Sequence, residues 1–316
     1  MGRAQRGRGA FRAPDLAARV SRGVALILHD DLLGAHVSSL GGVAHAPERG
    51  RTIGARVIQV FTKTPNQWRE PAIDAGQADV FRTALTRWGI RAVVAHDSYL
   101  INLASPDAAL RERSEESFTR ELERCRMLGI PWVVSHPGNF IDDRAAGLAR
   151  NARGYAACLA RVEGPGVLIE GTAGAGTALG ATFEELAALR EALPPAVRSR
   201  VGFCLDTAHL HAAGYNVAAD IAAVWSEFDR VVGLTHLKCL HLNDSRVARG
   251  SRVDRHAWIG EGAIGPEAFR RIMRDPNLVG VIKIIETPKA DDPVRHDRRM
   301  LRRLRAYARA IPSTAR

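Results

Sequence analysis

Short apolar runs that each end at a polar residue recur along the whole chain. Eight such runs are rich in Val, Ile and Leu, and longer amphipathic stretches separate them. From the second run onward they are spaced by about 35 to 45 residues, which is enough for one strand, one helix and two loops. The residues that close the runs are, in order, His36, Thr62, His96, His136, Glu170, Asp206, His241 and Glu286. The pattern predicts repeated βα units and hence a parallel sheet covered by helices.

Two of the amphipathic stretches carry helix-boundary signals. Ser105-Pro106 predicts a cap followed by proline at the first helical position, and Gly129 predicts the end of that helix. Thr182 and Glu185 predict a capping box. Eight units in about 260 residues favour a single (β/α)8 TIM barrel. An open doubly wound sheet would need a glycine-rich first turn, and Gly41-Gly42 lacks the rest of that fingerprint.

The positive charge is concentrated at the two ends of the chain. Lys and Arg outnumber Asp and Glu by 45 to 34, a formal net charge of +11. Residues 1–29 hold six Arg and one Asp, and residues 288–316 hold nine basic and three acidic residues, so the ends contribute +5 and +6. We expect 1–29 to be a basic, flexible extension and 30–316 to be the barrel domain, ending in a basic helix. The terminal arginines are then candidates for non-specific phosphate contacts.

Membrane insertion and a disulfide framework are not predicted. No apolar run approaches the roughly 18 to 20 residues that a membrane span needs. The four cysteines are far apart, without a C-x-x-C pair. We therefore expect a soluble cytoplasmic protein with buried, reduced thiols.

The strand-end residues indicate a metal site. In a barrel of this kind the carboxyl ends of all strands meet on one face. Seven run-closing residues are histidines or carboxylates, and His209, Asp254 and His256 follow on nearby loops. So many charges in one pocket would be costly without cations among them. Nitrogen and oxygen donors without thiolate favour zinc, with manganese or iron as alternatives, and a cluster of metals suits phosphate ester hydrolysis.

An ordered series of motifs between about residues 34 and 288 resembles endonuclease IV, the zinc-dependent abasic-site endonuclease family. The motifs are Gly34-Ala35-His36-Val37-Ser38, His96-Asp97-Ser98-Tyr99, His136-Pro137-Gly138, Asp206-Thr207-Ala208-His209, His241-Leu242-Asn243-Asp244, Asp254-Arg255-His256, Gly260-Glu261-Gly262 and Glu286-Thr287-Pro288.

The resemblance implies a (β/α)8 barrel with three Zn²⁺ ions, for which Mn²⁺ is a substitute. It places His96 and His136 on the first ion, Asp206, His241 and Glu286 on the second, and His209, Asp254 and His256 on the third, with Glu170 as the catalytic residue that bridges the first two. The implied reaction is hydrolysis of the phosphodiester 5′ to an abasic site in double-stranded DNA. It leaves a 3′-hydroxyl and a 5′-deoxyribose phosphate, and the family also trims blocked 3′ ends.

The resemblance also implies DNA contacts from Gln67 and Trp68, after the second strand, and from Tyr99, after the third. His36 is expected to support the ligands without binding metal. We expect a monomer that works on intracellular, nucleoid-associated DNA.

The sequence departs from the family pattern at three places. Gly171 stands where an Asn usually follows the bridging Glu, so a hydrogen bond to the ligands is expected to be lost. Ala208 replaces a common Cys, which is expected to be mild. Pro65-Asn66 stands where some members place an arginine that enters the duplex.

Two other functions compete with this interpretation. Sugar isomerases and epimerases share the barrel and bind one or two metals, and the histidines and aspartate of the third predicted site argue against them. A DNA-binding protein that has lost activity would not be expected to keep all nine ligands.

Overall fold

The computed structural model describes residues 32–309, and the extension predicted for residues 1–29 lies outside that range. The strands are β1 (Leu33–His36), β2 (Val57–Phe61), β3 (Ala92–His96), β4 (Trp132–Ser135), β5 (Gly166–Glu170), β6 (Val201–Asp206), β7 (Leu237–His241), β8 (Asp244–Ser245), β9 (His256–Ala257) and β10 (Ile282–Ile285). Strands β1 to β7 and β10 pair in parallel, and β1 pairs with both β2 and β10, so the sheet closes. Strands β8 and β9 form a separate antiparallel ribbon. The predicted (β/α)8 barrel is confirmed.

Helices occupy the connections between the barrel strands. They are α1 (Ala46–Ile53), α2 (Ala75–Trp88), α3 (Ala108–Leu128), α4 (Arg144–Arg161), α5 (Phe183–Glu191), α6 (Pro195–Arg198), α7 (Thr207–Ala213), α8 (Ile221–Val231), α9 (Pro266–Arg274) and α10 (Pro293–Ala308). In the described part of the chain, short 3₁₀ turns lie at Val43–His45, Leu234–His236 and Pro276–Leu278. Among residues 32–309, no helix combines the length and the apolar character needed to cross a membrane.

Helix α3 begins later than the sequence predicts. Its N-cap is Asp107, whose Oδ1 accepts hydrogen bonds from the backbone N–H groups of Ala109 and Leu110 at 2.9 and 3.2 Å. The prediction of a cap at Ser105 with Pro106 as the first helical residue is therefore wrong. A carboxylate satisfies two free N–H groups and carries the charge that a helix N-terminus favours, so it displaces the hydroxyl two residues upstream. The predicted end at Gly129, with φ of +75°, is confirmed.

Helix α5 contains half of the predicted capping box. Thr182 caps the helix by accepting from the Glu185 N–H at 3.2 Å, as predicted. The Glu185 carboxylate instead accepts from the N–H groups of Gly180 and Ala181, at 2.8 and 3.2 Å. The Glu185 side chain thus holds the loop that follows β5 and does not accept from the Thr182 N–H, which a complete capping box requires.

The predicted basic terminal helix is α10. Leu301 and Leu304 on this helix are fully buried. Several of its arginines donate to backbone carbonyls of neighbouring segments, for example Arg298 to Thr52 at 2.6 Å. Part of the positive charge at this end therefore attaches the helix to the barrel and is not free for phosphate.

Apolar side chains fill the middle of the barrel in a layer that we name the plug. The plug consists of Val57, Val94, Val134, Leu168, Cys204, Cys239 and Ile284, one residue from each barrel strand except β1. Strand β1 contributes Gly34, where an added Cβ would lie 1.6 Å from the Val57 carbonyl oxygen. Side chains along a strand alternate between its two faces. The residues two positions beyond the plug therefore face the same axis at the carboxyl end of the barrel.

Candidate metal centre

The nine predicted ligands converge at the carboxyl end of the barrel. Four of them are the last residues of strands, two follow a strand directly, one lies in the first turn of α7, one lies on the segment that connects β8 to β9, and one is the first residue of β9. In that order they are His96, Glu170, Asp206 and His241; His136 and Glu286; His209; Asp254; and His256. The strand ends meet because the parallel register aligns them, as where Asp206 pairs with His241 across β6 and β7.

Glu170 lies at the centre of this group and is only 1% exposed. Its Oε2 is 3.3 Å from His96 Nε2 and 3.4 Å from His136 Nε2. Its Oε1 is 2.9 Å from His241 Nδ1. One oxygen thus faces two imidazoles and the other faces a third, which is the position that a bridging carboxylate requires.

A second set surrounds His241. Its Nδ1 lies 3.2 Å from Glu286 Oε2 and 4.0 Å from Asp206 Oδ2. The ligand atoms of Glu170, Asp206 and His241 all lie within 4.8 Å of one another.

A third set lies toward the rim of the site. The two oxygens of Asp254 are 3.3 Å from His209 Nε2 and 3.1 Å from His256 Nε2. Asp206 Oδ2 is 3.5 Å from His256 Nε2, so this buried carboxylate faces both the second and the third set. The side chain of Asp254 is 50% exposed, which leaves the third set open to solvent.

Backbone carbonyls orient three of the imidazoles. Each pair joins a ring Nδ1 to a carbonyl oxygen: His96 to Asp97 at 3.0 Å, His209 to Gly171 at 2.9 Å and His256 to Glu286 at 3.3 Å. A carbonyl oxygen can only accept, so Nδ1 carries a hydrogen and Nε2 is the ring nitrogen that faces the carboxylates. The contact from Gly171 uses its backbone, so the absence of a side chain there does not affect it.

The carboxylates hold several imidazoles in their charged form. Burial disfavours the charge on His96, but the hydrogen bond and charge of Glu170 raise the pKa of His96 to about 9. Burial likewise opposes the charge on His209, and Asp206 and Asp254 raise its pKa to about 10. For His136 burial dominates and lowers the pKa to about 4.

The donor set fits divalent metal ions. The ligand atoms are nitrogens and oxygens, and four carboxylates lie among the imidazoles with no Lys or Arg ion-pair partner among residues 32–309. These are the ligands that zinc and manganese bind. Cations in this position would replace the protons that the imidazoles now share with the carboxylates.

Comparisons with known proteins agree with this geometry. A family model described as a xylose isomerase-like TIM barrel matches residues 47–304. A protein of Chloroflexus aurantiacus named "Probable endonuclease 4" is 48% identical over 280 residues, which cover 86% of this chain and 96% of that protein. The crystal structure of endonuclease IV from Thermus thermophilus superposes with a TM-score of 0.78 at 37% identity, covering 87% of this chain and 98% of that one.

The chain belongs to the endonuclease IV family. The family resemblance and the enzyme class that the sequence predicts are thereby confirmed. A D-tagatose 3-epimerase-like protein also superposes, with a TM-score of 0.65 and 17% identity over 87% of this chain and 98% of that one. At that identity the likeness shows the shared barrel alone.

The sequence analysis assigned no role to two residues that contact the predicted ligands. Asn243 donates to Asp206 Oδ2 at 2.7 Å, and its Oδ1 accepts from the Glu286 N–H at 2.9 Å. Gln59 lies inside the second apolar run and contacts His36, His241 and Glu286. The signal that could have found Gln59 was its place as a lone polar residue in an apolar strand, two positions beyond the plug residue of that strand.

His36 lies where the sequence predicts a supporting residue. Its Nδ1 is 3.3 Å from Glu286 Oε1, and its ring centroid is 4.4 Å from that of Phe61. Burial lowers the pKa of His36. The ring therefore reaches a predicted ligand without belonging to any of the three sets.

The predicted DNA-contacting residues lie at different distances from the metal centre. Tyr99 is 66% exposed and lines the cavity of about 520 Å³ above the ligands. Gln67 is exposed and Trp68 is half-buried, and neither lines that cavity. The Arg113 guanidinium stacks on the Trp68 ring at 4.6 Å.

Buried ion pairs fix the loop that carries Gln67 and Trp68. Lys63 Nζ donates to the Gln67 carbonyl at 3.0 Å and to Glu70 Oε1 at 2.5 Å. Arg124, on α3, donates to the other oxygen of Glu70 at 2.6 Å. The departure at Pro65 is part of this arrangement, because its carbonyl accepts from the Tyr99 N–H at 3.1 Å and so joins the two loops that are predicted to contact DNA.

Proposed function

We propose that the protein is a DNA-repair endonuclease that hydrolyses the phosphodiester 5′ to an abasic site in duplex DNA. It leaves a 3′-hydroxyl and a 5′-deoxyribose phosphate, and it trims blocked 3′ ends. The observation that carries the proposal is the convergence of nine nitrogen and oxygen ligands, with Glu170 at their centre, at the carboxyl end of the barrel in a family of endonucleases.

Three Zn²⁺ ions would occupy the three sets of ligands, and Mn²⁺ could replace them. His96, His136 and Glu170 would hold the first, Glu170, Asp206, His241 and Glu286 the second, and His209, Asp254 and His256 the third. When bound, such ions supply Lewis acidity, which stabilises charge on the phosphoryl and leaving oxygens and lowers the pKa of the attacking water.

The side chains of the protein would position the metal ions and set the net charge of the pocket. Glu170 is the catalytic residue, because it touches both of the first two sets and its carboxylate stays ionised: burial opposes the charge, but the His241 and His136 imidazoles hold its pKa well below the ordinary value. Four carboxylates against three dications leave the pocket positive, so it attracts a phosphodiester. The half-exposed Asp254 leaves this pocket accessible from the side on which a duplex would approach.

Selectivity for abasic sites follows from the cost of taking a nucleotide out of the stack. That cost is lowest where the base is already missing. Tyr99 at the rim and Gln67 and Trp68 on the fixed loop are positioned to contact the DNA around the displaced sugar. The aromatic rings supply stacking surface where the base is absent.

A sugar isomerase on the same barrel is the alternative, and no contact in the site favours it. To separate the two, the purified protein is incubated with an abasic duplex, a matched intact duplex and a panel of ketoses. Incision of the abasic duplex alone, with a product that a polymerase extends from its 3′ end, supports the proposal. Conversion of a ketose without DNA incision would contradict it. Elemental analysis of the same sample is expected to find close to three zinc per chain, and one or fewer would favour the isomerase.

We propose that the protein acts as a monomer on intracellular DNA and that its basic ends add non-specific phosphate contacts. Deleting residues 1–29 is then expected to weaken duplex affinity and to flatten its salt dependence. Incision at saturating substrate should stay unchanged. An unchanged salt slope would show that this segment does not contact DNA.

A further inference from the structure

Gln59 lies fully buried among the proposed metal ligands although it sits in the middle of strand β2. In the parallel register it is the partner of His36 on β1. Its amide reaches three strand ends: Oε1 is 2.8 Å from His241 Nε2, and Nε2 is 2.6 Å from Glu286 Oε1 and 3.0 Å from His36 Nδ1. A buried amide with three polar partners links β1, β7 and β10 through one side chain.

The chemistry of Glu286 fixes which way this amide points. An ionised carboxylate can only accept, so the group 2.6 Å from Glu286 Oε1 must be the amide NH₂ and not the amide oxygen. The reverse orientation would place two acceptor oxygens in contact inside a buried site. The amide oxygen of Gln59 therefore faces His241.

The orientation of the Gln59 amide in turn determines which ring nitrogen of His241 carries the hydrogen. An amide oxygen can only accept, so the hydrogen between it and the ring belongs to His241 Nε2. The neutral ring then has its lone pair on Nδ1, the atom that lies 2.9 Å from Glu170 Oε1 and 3.2 Å from Glu286 Oε2. His241 is the only proposed histidine ligand within residues 32–309 that would present Nδ1 to the site. For His96, His209 and His256 the carbonyl contacts leave Nε2 for this purpose, and His136 faces Glu170 through its Nε2.

We propose that Gln59 is a positioning residue for the second metal, which sets the tautomer of His241 and holds Glu286 in place through one amide group. The inference rests on the metal centre of the proposed function. In this proposal the amide oxygen of Gln59 orients the His241 ring, as backbone carbonyl oxygens orient the rings of His96, His209 and His256. Loss of such a partner typically weakens metal binding by about 10- to 100-fold.

The test measures zinc in the full-length, zinc-loaded protein. Gln59→Met keeps an unbranched side chain of similar length and removes both hydrogen-bonding groups. Gln59→Leu is a second variant in case the first does not fold. Val60→Ala is the matched control, because Val60 is the next residue of β2, is equally buried and faces the surrounding helices instead of the ligands. Elemental analysis gives zinc per chain, and a colorimetric chelator follows the rate of zinc release.

The expected result is that one zinc of the bound set leaves Gln59→Met at least about tenfold faster than it leaves the wild type. The other zinc ions should leave at the wild-type rate, and Val60→Ala should release all of them as the wild type does. Incision of an abasic duplex by the variant should show a lower kcat with an unchanged KM, because the loops that contact DNA are untouched.

If a folded Gln59→Met or Gln59→Leu protein released all of its zinc ions at the wild-type rate, the inference would be overturned. Equal loss from Val60→Ala would also overturn it, since the effect would then come from general destabilisation of β2. Failure of the proposed function looks different: the wild-type protein itself would hold one zinc or none.

Discussion

Two layers on the barrel axis, one above the other, have opposite chemistry. The plug is wholly apolar: Val57, Val94, Val134, Leu168, Cys204, Cys239 and Ile284. The layer at the carboxyl end of the same strands is wholly polar: His36, Gln59, His96, His136, Glu170, Asp206, His241 and Glu286. Two residues of strand separate them, a rise of about 7 Å. Stability should therefore depend on the lower layer and activity on the upper one, and substitutions in the two layers should have separable effects.

The largest expected effect is on activity, in the polar layer. Glu170→Gln removes the charge shared by the first two sets of ligands while keeping the shape of the side chain. Incision of an abasic duplex should fall by about a thousandfold or more, with an unchanged circular dichroism spectrum. Wild-type rates in this variant would remove Glu170 from the mechanism.

The apolar layer should give the reverse pattern. Ile284→Ala leaves a cavity in the plug and should lower the free energy of unfolding by about 2–5 kcal/mol, measured by urea denaturation. The folded variant should keep its zinc and its kcat, because Glu286 is held separately through its N–H by Asn243. If Ile284→Ala lost much of its zinc but kept its free energy of unfolding, the two layers would not have separable effects.

The charged amine of Lys283, which precedes the plug residue Ile284 on β10, should lower the stability of the folded protein. Burial lowers the pKa of Lys283 to about 8 from 10.5, and the charges of Cys239 and Asp275 oppose this shift. Below pH 8 the buried charged amine therefore lowers the free energy of unfolding. This loss of stability disappears as the pH rises toward 10.5, because the amine is neutral in the folded protein there. Lys283→Met lacks the penalty at every pH but leaves the carbonyls of Leu278 and Val281 without their donor.

The variant should consequently lose stability relative to the wild type, by up to about 3 kcal/mol, as the pH rises from 7 to 10.5. Urea denaturation of both proteins at several pH values measures this difference. A difference that is independent of pH would show that the Lys283 amine is not penalised in the folded state.

The smallest effect is expected outside both layers, on the loop after β2. Trp68→Ala removes an aromatic surface that the structure places away from the ligands. KM for an abasic duplex should rise by about tenfold, with unchanged kcat and zinc content, as for the loss of one stacking contact. An unchanged KM would indicate that Trp68 serves only to pack against Arg113.

The sequence identifies most of the polar layer because its members close the apolar runs. His96, Glu170, Asp206 and His241 are the last residues of their strands, and parallel strands bring their ends together. The same rule misleads on β2, where the run ends at Thr62. Thr62 points away from the axis and donates to Glu121 on α3, while Gln59 faces the ligands. Only the alternation of side chains along β2, together with its register, reveals that difference.

Local sequence also could not decide between competing caps. Ser105, Pro106 and Asp107 are all favourable near a helix start, and the helix begins directly after Asp107, whose carboxylate reaches two N–H groups. The contact between Gly171 and His209 was likewise hidden, because a backbone carbonyl leaves no signal in the residue type. These features depend on how distant segments meet rather than on any single motif.

The most direct test of the metal centre is incision of an abasic-site duplex by the native protein before chelation, after chelation and after zinc is restored. The expected result is incision that disappears when elemental analysis shows the metal removed, and that returns with zinc, while an intact duplex of the same sequence is never cut. Incision that persists in metal-free protein would contradict the account, as would zinc-loaded protein that leaves the abasic duplex intact.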